Sequence, residues 1–267
     1  AVRASVVAVQ ACIEWMDSDT RDDEDLIGGS ALGCRGRLRL ALLPLAAMPG
    51  WLSLVQAWQQ GQASLQLRVA LDGRASAAVN TLQQHWQIES SADSVQSDAS
   101  VQWQIEVPAP PAVVVFGAGP ETPTLLPLLR NLGWMTTLVE RRARWQAEAG
   151  HADAWIDVAP EAACRSIADS HYAAALVMNH NFEIDREALH ALASTPIAFI
   201  GLLGPNRRRE DLFRVLPLTT REALLPRLHS PVGLKLGGHG PEAITLNNTT
   251  QKKTIRIPQK MHRRFHT

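Results

Sequence analysis

Four stretches of this chain carry residue types at spacings that chemistry can use. The first is VVVFGAGPETPTLLPLLRNLGWMTTLVERR, from Val113 to Arg142. A β-branched run ends in Gly117-Ala118-Gly119, an apolar helical pattern follows, and a second short strand closes on Glu140. In a dinucleotide-binding turn one glycine makes the bend, a second lets phosphates approach the backbone, and a third lets helix and strand pack closely. Gly117 and Gly119 supply the first two, while Thr122 stands where the third belongs. The spacing predicts amides free to hold a phosphate at the positive end of the helix. Glu140 is then placed to accept from ribose hydroxyls. A sharp strand-to-helix turn with no ligand would leave the same pattern, and the residues alone keep both readings open.

The second stretch is MNHNFEID, which begins where a fourth strand would end at Met178. Ligands of a doubly wound sheet settle outside the carboxyl ends of its first and fourth strands. Asn179, His180 and Asn181 would therefore project beside Gly117, with His180 either a proton-transfer group or a structural hydrogen-bonding one. The third stretch, GLLGPNRRRE, enters the same rim. Gly201 and Gly204 loosen its backbone, and of Arg207, Arg208 and Arg209 one or two would face an anion. A solvated helix face is the competing account, and Asn206 is an expected helix N-cap. In the fourth, GGSALGCRGRL, the Cys34 thiolate would suit a soft metal or a sulfur-bearing ligand. A small buried residue in a glycine-rich turn explains it equally. No HExxH, P-loop or GxSxG pattern occurs.

These residues need elements to hold them. After VPAPPA, a proline-rich linker at 107–111, strand patterns (AVVVFG, MTTLVE, DAWIDV, AAALVM, IAFIGLL) alternate with helical ones (PTLLPLLRNLG, RARWQAEAG, PEAACRSIAD, DREALHALAS, NRRREDLFRVL). Such alternation predicts an α/β fold over 112–240, a Rossmann-like parallel sheet with helices on both faces. Residues 1–106 read as a smaller α+β domain. There RASVVAVQACIEWM is helix-like, DSDTRDDED is an acidic loop, and GCRGRLRLALLPL alternates as a half-buried strand does. PGWLSLVQAWQQGQ has helical spacing between Pro49 and Gly61, and SLQLRVAL, VQWQIEV and HWQIES are further strands. Residues 241–267 form a divergent basic tail.

With 267 residues, nearly half of them apolar, the chain can bury a sizeable core. Net charge is zero but uneven, with 7 basic and 12 acidic residues up to Pro110 and 6 basic and no acidic residues from Thr245 onward. An exposed, weakly ordered end explains that tail more simply than a nucleic-acid surface, and no nucleic-acid partner is expected. Cys12, Cys34 and Cys164 are too few and too far apart for a disulfide framework or a CxxC metal site. No apolar run reaches the roughly 20 residues of a membrane span, so a cytoplasmic protein is expected.

Taken together, these stretches resemble the XdhC/CoxI family of xanthine dehydrogenase accessory proteins. FGAGPETPTLLPLLRNLGWMTTLVERR is similar to the family's Rossmann opening, whose second strand typically ends in Asp-Arg-Arg. ALVMNHNFEID is similar to its VMTHxxxxD stretch with Asn179 for the usual Thr, and IAFIGLLGPNRRRE and LHSPVGL to its later signatures. DDEDLIGGSALGCRGRLRLALLPL resembles its GCGG segment. The chain departs from the family in starting downstream of the SGGCVE motif, so its first domain reads as truncated. It also has Arg35 for a family glycine, Leu43 where Glu is common, and an unfamiliar tail. The resemblance implies a chaperone that binds molybdenum cofactor (molybdopterin, in some forms a dinucleotide) and delivers it into a molybdenum hydroxylase such as xanthine dehydrogenase. Turnover of a small molecule is not expected, and the resemblance leaves room for a cysteine desulfurase partner and for a homodimer. The implied cofactor-binding residues are Gly117, Gly119, Glu140, Asn179, His180, Gly204, Arg207 and Cys34. Two rivals remain at this stage. One is an NAD(P)-dependent oxidoreductase using the same turn, with Glu140 on the ribose and His180 as acid or base. The other is a divergent relative that binds no ligand and acts through protein contacts.

Overall fold

The computed structural model describes residues 11–19, 37–61, 63–91, 102–168 and 171–232. Cys34, residues 20–25 of the predicted acidic loop and the basic tail lie outside the described residues. The chain divides into two compact units between Pro108 and Ala109, apart from short exchanged segments.

In the first unit β1 (Cys12–Asp19) pairs antiparallel with β2 (Arg37–Leu42) in the register Glu14 to Leu42. Cys12–Met16, expected to be helical, is thus strand. The reason is a period of two that a run of valines upstream conceals: Ile13 is buried and Trp15 packs on the core, while Glu14 and Met16 are exposed. A 3-10 turn (Leu45–Ala47) leads into α1 (Trp51–Gln59), as the proline-to-glycine spacing predicts. β3 (Leu65–Ala70), β4 (Arg74–Val79), β5 (Leu82–Gln87) and β7 (Gln102–Val107) form an antiparallel sheet ordered β5-β4-β3-β7. The two-residue β6 (Glu89–Ser90) pairs with β1.

β4 has no counterpart among the predicted strands. Its RASAAV sequence lacks the β-branched run expected of a strand, although Ala75, Ala77 and Val79 alternate inward. Its local signal is the Asp72-Gly73 hairpin turn, where Gly73 has φ +86° and any Cβ would collide with the Ile88 carbonyl.

The second unit carries the site. Its strands are β8 (Ala112–Phe116), β9 (Met135–Val139), β10 (Ala154–Ile156), β11 (Tyr172–Val177), β12 (Phe199–Leu202) and β13 (Leu228–His229). They lie in the order β10-β9-β8-β11-β12-β13, every neighbouring pair parallel. Counted from β8 this is 3-2-1-4-5-6, the doubly wound order whose switch point falls between β8 and β11. Successive side chains of β8 enter opposite cores: Val113 and Val115 meet Leu125, Leu126 and Leu129 of α2 (Thr122–Asn131), while Val114 and Phe116 meet Leu189 and Leu192 of α4 (Phe182–Leu192). Burial on both faces explains why these strands read as unbroken apolar runs. α3 (Pro160–Ser166), α5 (Asn206–Val215) and α6 (Leu218–Leu224) complete the layers.

Three local expectations change. RARWQAEAG forms a 3-10 stretch (Ala143–His151) rather than an α-helix. Asn206 is the first residue of α5 and Pro205 its cap, so Asn206 does not cap the helix. α6 and β13 add a sixth strand beyond the five that the sequence pattern marks.

Candidate functional site

The loops after β8 and β11 meet at the switch point, and the glycines are there for close packing. Gly117 has φ +92°, and a Cβ on it would lie 2.5 Å from the Asn179 Cα in the opposing loop. A Cβ on Gly119 would lie 2.7 Å from His180 Nε2 and 2.9 Å from Glu121 Oε2. The space these glycines clear is therefore filled by the protein itself.

So are the amides. Gly117 N–H donates to the Val139 carbonyl (2.9 Å) and Ala118 N–H to Glu140 Oε2 (2.8 Å). Gly119 N–H donates to Thr122 Oγ1 (2.9 Å), and Thr122 N–H to the Gly119 carbonyl (3.0 Å). Pro120 and Pro123 have no N–H to give. Thr122, in the place of the third glycine, thus spends its hydroxyl on an amide that a phosphate would need. Glu121 adds a buried carboxylate beside the turn, 3.2 Å from His180 Nε2. A preformed phosphate cradle on this turn, the sequence expectation, is not what the geometry provides.

Glu140 is likewise committed. It is only 3% exposed. Its Oε1 accepts from Arg142 N–H (2.8 Å) and Nε (2.9 Å), and its Oε2 from Arg142 Nη2 (2.5 Å) as well as Ala118. Burial works to raise its pKa, but the Arg142 and Ala118 hydrogen bonds outweigh it and hold the carboxyl below its ordinary value. Accepting from a ribose, the role expected of Glu140, would require breaking that pair. Arg142 also donates from Nη1 to the Asn179 carbonyl (2.7 Å) and from Nη2 to the Ala118 carbonyl (3.1 Å). One guanidinium joins the loops after β8, β9 and β11. Sequence reasoning missed Arg142 as a site residue; its signal was the second arginine of Glu140-Arg141-Arg142.

The other predicted residues fall around this clamp. Asn179 is buried and donates from N–H and Nδ2 to Asp185 Oδ1, each at 3.0 Å. Asp185, fully buried, takes Arg208 Nε (3.0 Å) and Nη2 (2.5 Å) on its other oxygen. Gly204, φ +125°, gives Arg208 room, since a Cβ there would lie 2.8 Å from its Cδ. Of the three arginines Arg208 is thus the one that reaches Asp185, while Arg209 Nη1 donates to the Ser230 carbonyl (3.4 Å). Arg207, expected at the ligand, has a side chain 90% exposed and lies 3.8 Å from Asp211. His180 has φ +53° and a half-exposed side chain, and Asn181 caps α4 by accepting from Ile184 N–H (3.1 Å).

On the far side of Glu140 the crevice is open. Phe116, Val139, Val158, Pro160 and Ile184 wall a small cleft of about 10 Å³, room for about one water molecule. Asn179, Glu140 and Arg141 line its polar side. Trp155 Nε1 donates to the Glu140 carbonyl (2.9 Å), fixing the edge strand beside it. Arg141 is exposed and makes no hydrogen bond or ion pair with the described residues. Neither described cysteine is a ready thiolate: burial pushes Cys164 up to about 11, and burial with Glu89 and Glu14 raises Cys12. Among the described residues no group of three metal-binding side chains occurs, and no helix is long and apolar enough to cross a membrane.

This crevice can be compared with known proteins. Residues 113–249, just over half the chain, match the XdhC Rossmann domain. The chain belongs to the XdhC family. It is 29% identical over 139 residues to a probable xanthine dehydrogenase subunit of Bacillus subtilis, a match spanning 51% of this chain and 40% of that one. It is 39% identical over 64 residues to the uncharacterized protein YqeB of Escherichia coli, 24% of this chain and 12% of that one. The chain thus aligns with less than half the length of either curated relative. A crystal structure described as a xanthine dehydrogenase from Bacillus halodurans superposes with TM-score 0.66 at 22% identity, covering 97% of this chain and 80% of that one. That likeness establishes the two-unit fold.

Proposed function

We propose that this XdhC-family chain is an accessory protein that binds molybdenum cofactor and passes it to a xanthine dehydrogenase-type hydroxylase. The reading is carried by the match to the XdhC Rossmann domain, whose parallel sheet presents Arg141, unpaired among the described residues, at the carboxyl end of β9. The residues present suit one part of such a group, a phosphate beside the Arg141 guanidinium; the cleft next to it, about 10 Å³, has no room for a flat ring. Among the described residues no cluster of metal-binding side chains stands ready for its metal end. Inserted in a hydroxylase, the cofactor supplies the molybdenum centre. This chain's part is to hold the cofactor until transfer, while Arg142 keeps the three loops of the switch point in place.

The rival nicotinamide-dependent reaction is disfavoured because Glu140 is already bound on both oxygens. Thermal unfolding of the purified chain with molybdopterin, with NAD and with NADP tests the choice. A ligand at 100 times its dissociation constant stabilises by about 2.7 kcal/mol. A shift with molybdopterin, together with co-purification of a molybdenum hydroxylase, is expected. A shift with NAD or NADP alone would replace the chaperone by the oxidoreductase.

A further inference from the structure

His180 and Glu121 meet at the switch point from the two loops that close it, and the fold holds each in a costly place. His180 follows Asn179, which Asp185 fixes, and precedes Asn181, which caps α4. Pinned from both sides, its backbone takes φ +53°, a left-handed conformation that a residue with a side chain disfavours. The Glu121 side chain is only 7% exposed, and His180 Nε2 at 3.2 Å is its side-chain partner among the described residues. Gly119 lets the two touch, since a Cβ there would lie 2.7 Å from Nε2 and 2.9 Å from Glu121 Oε2. A buried carboxylate needs a donor. That requirement puts the proton of a neutral His180 on Nε2 and leaves Nδ1 a bare acceptor. The Gly119 Cβ position faces Nε2 and Cδ2, so Nδ1 lies on the ring edge turned away from the glycine turn. Nδ1 has no hydrogen-bond partner among the described residues, and the side chain is 47% exposed.

We propose that His180 Nδ1 accepts a proton from a thiol of the bound ligand, with Glu121 positioning the ring and stabilising the imidazolium that forms. Acidity selects the thiol. Carboxyl groups are already ionised at neutral pH, and water ionises far above it. A thiol near 8.5 lies about two units above a free imidazole near 6.5, close enough for transfer to an oriented base. The S–H bond breaks and the proton forms the Nδ1–H bond. The electron pair stays on sulfur as a thiolate, and nothing is oxidised or reduced. Metal-free molybdopterin carries two such thiols, so the assignment deepens the accessory role proposed above and rests on that reading for the ligand.

Ring-nitrogen NMR of the full chain reads the pair directly. The neutral wild-type imidazole should carry its proton on Nε2, and Glu121→Gln should mix the two tautomers. A wild-type proton on Nδ1 would overturn the assignment. Calorimetric titration with reduced, metal-free molybdopterin, at about pH 7 and about pH 9.5, then tests the transfer. Only about 3% of a free thiol is ionised at pH 7, so His180→Gln should weaken binding there by roughly 10-fold to 30-fold. At about pH 9.5 the thiol ionises unaided, and the variant should bind within about 2-fold of wild type. Glu121→Gln should fall between the two at pH 7, and circular dichroism checks that both variants fold. A loss of equal size at both pH values, or none at either, would overturn the proton transfer and leave the accessory role intact. No binding by wild type would sink both.

Discussion

Two sides of one crevice, barely a side chain apart, behave in opposite ways. On the β8–β11 side, the amides of Gly117, Ala118, Gly119 and Thr122 and the Glu140 carboxylate are occupied by protein partners, and His180 and Glu121 pair at the rim. On the β9–β10 side, an exposed Arg141 with no partner among the described residues borders a small apolar-walled cleft. The same sequence motif built both. What separates them is which way three consecutive side chains leave the end of β9. A glycine-rich turn after a strand thus establishes that two loops approach closely, and leaves open whether a phosphate or another loop fills the gap.

The clamp is the feature whose loss should cost most. Arg142→Ala would strand a buried carboxylate and release three loops at once, an expected loss of about 3–5 kcal/mol in urea unfolding. A loss under ~1 kcal/mol would mean that the two sides are not held apart by this pair. Gly117→Ala attacks the same side through the backbone. A positive φ together with a Cβ pressed on the Asn179 main chain should cost about 1–3 kcal/mol.

Acid should loosen the occupied side selectively. The Glu140 pKa is depressed in the folded state, so its contribution is fully present above the ordinary value of 4.5 and is lost as pH falls below it. The wild-type unfolding free energy should therefore drop on that acid limb, and Glu140→Gln should be less stable at pH 7 with a flatter limb. Equal limbs would show that the carboxylate is not the group being titrated. On the open side, Arg141→Ala should leave stability within about 0.5 kcal/mol, as an exposed, unpaired residue does. A larger loss would mean that Arg141 has a structural partner.

Much of the second unit was legible in the chain. Alternating strand and helix patterns imply a parallel sheet, and the positions of Gly117 and Met178 at strand ends put the switch point where it lies. The missing third glycine was visible as Thr122. Its consequence was not, because a threonine hydroxyl capturing the Gly119 amide depends on the turn's three-dimensional path. Nor could spacing choose among Arg207, Arg208 and Arg209, since the deciding partner, Asp185, lies on another helix. In the first unit, the alanines of β4 carry a weak strand propensity that sheet packing overrides, and the valines before β1 hide its period of two in the sequence.

The most direct test of the account is a backbone and arginine-side-chain NMR titration of the wild-type chain with molybdopterin. The largest shifts should fall on Arg141 Nε–H, while Ala118 and Gly119, already hydrogen-bonded, should barely move. Large shifts at Ala118 and Gly119 with Arg141 unmoved would contradict it, and would return the phosphate to the glycine turn.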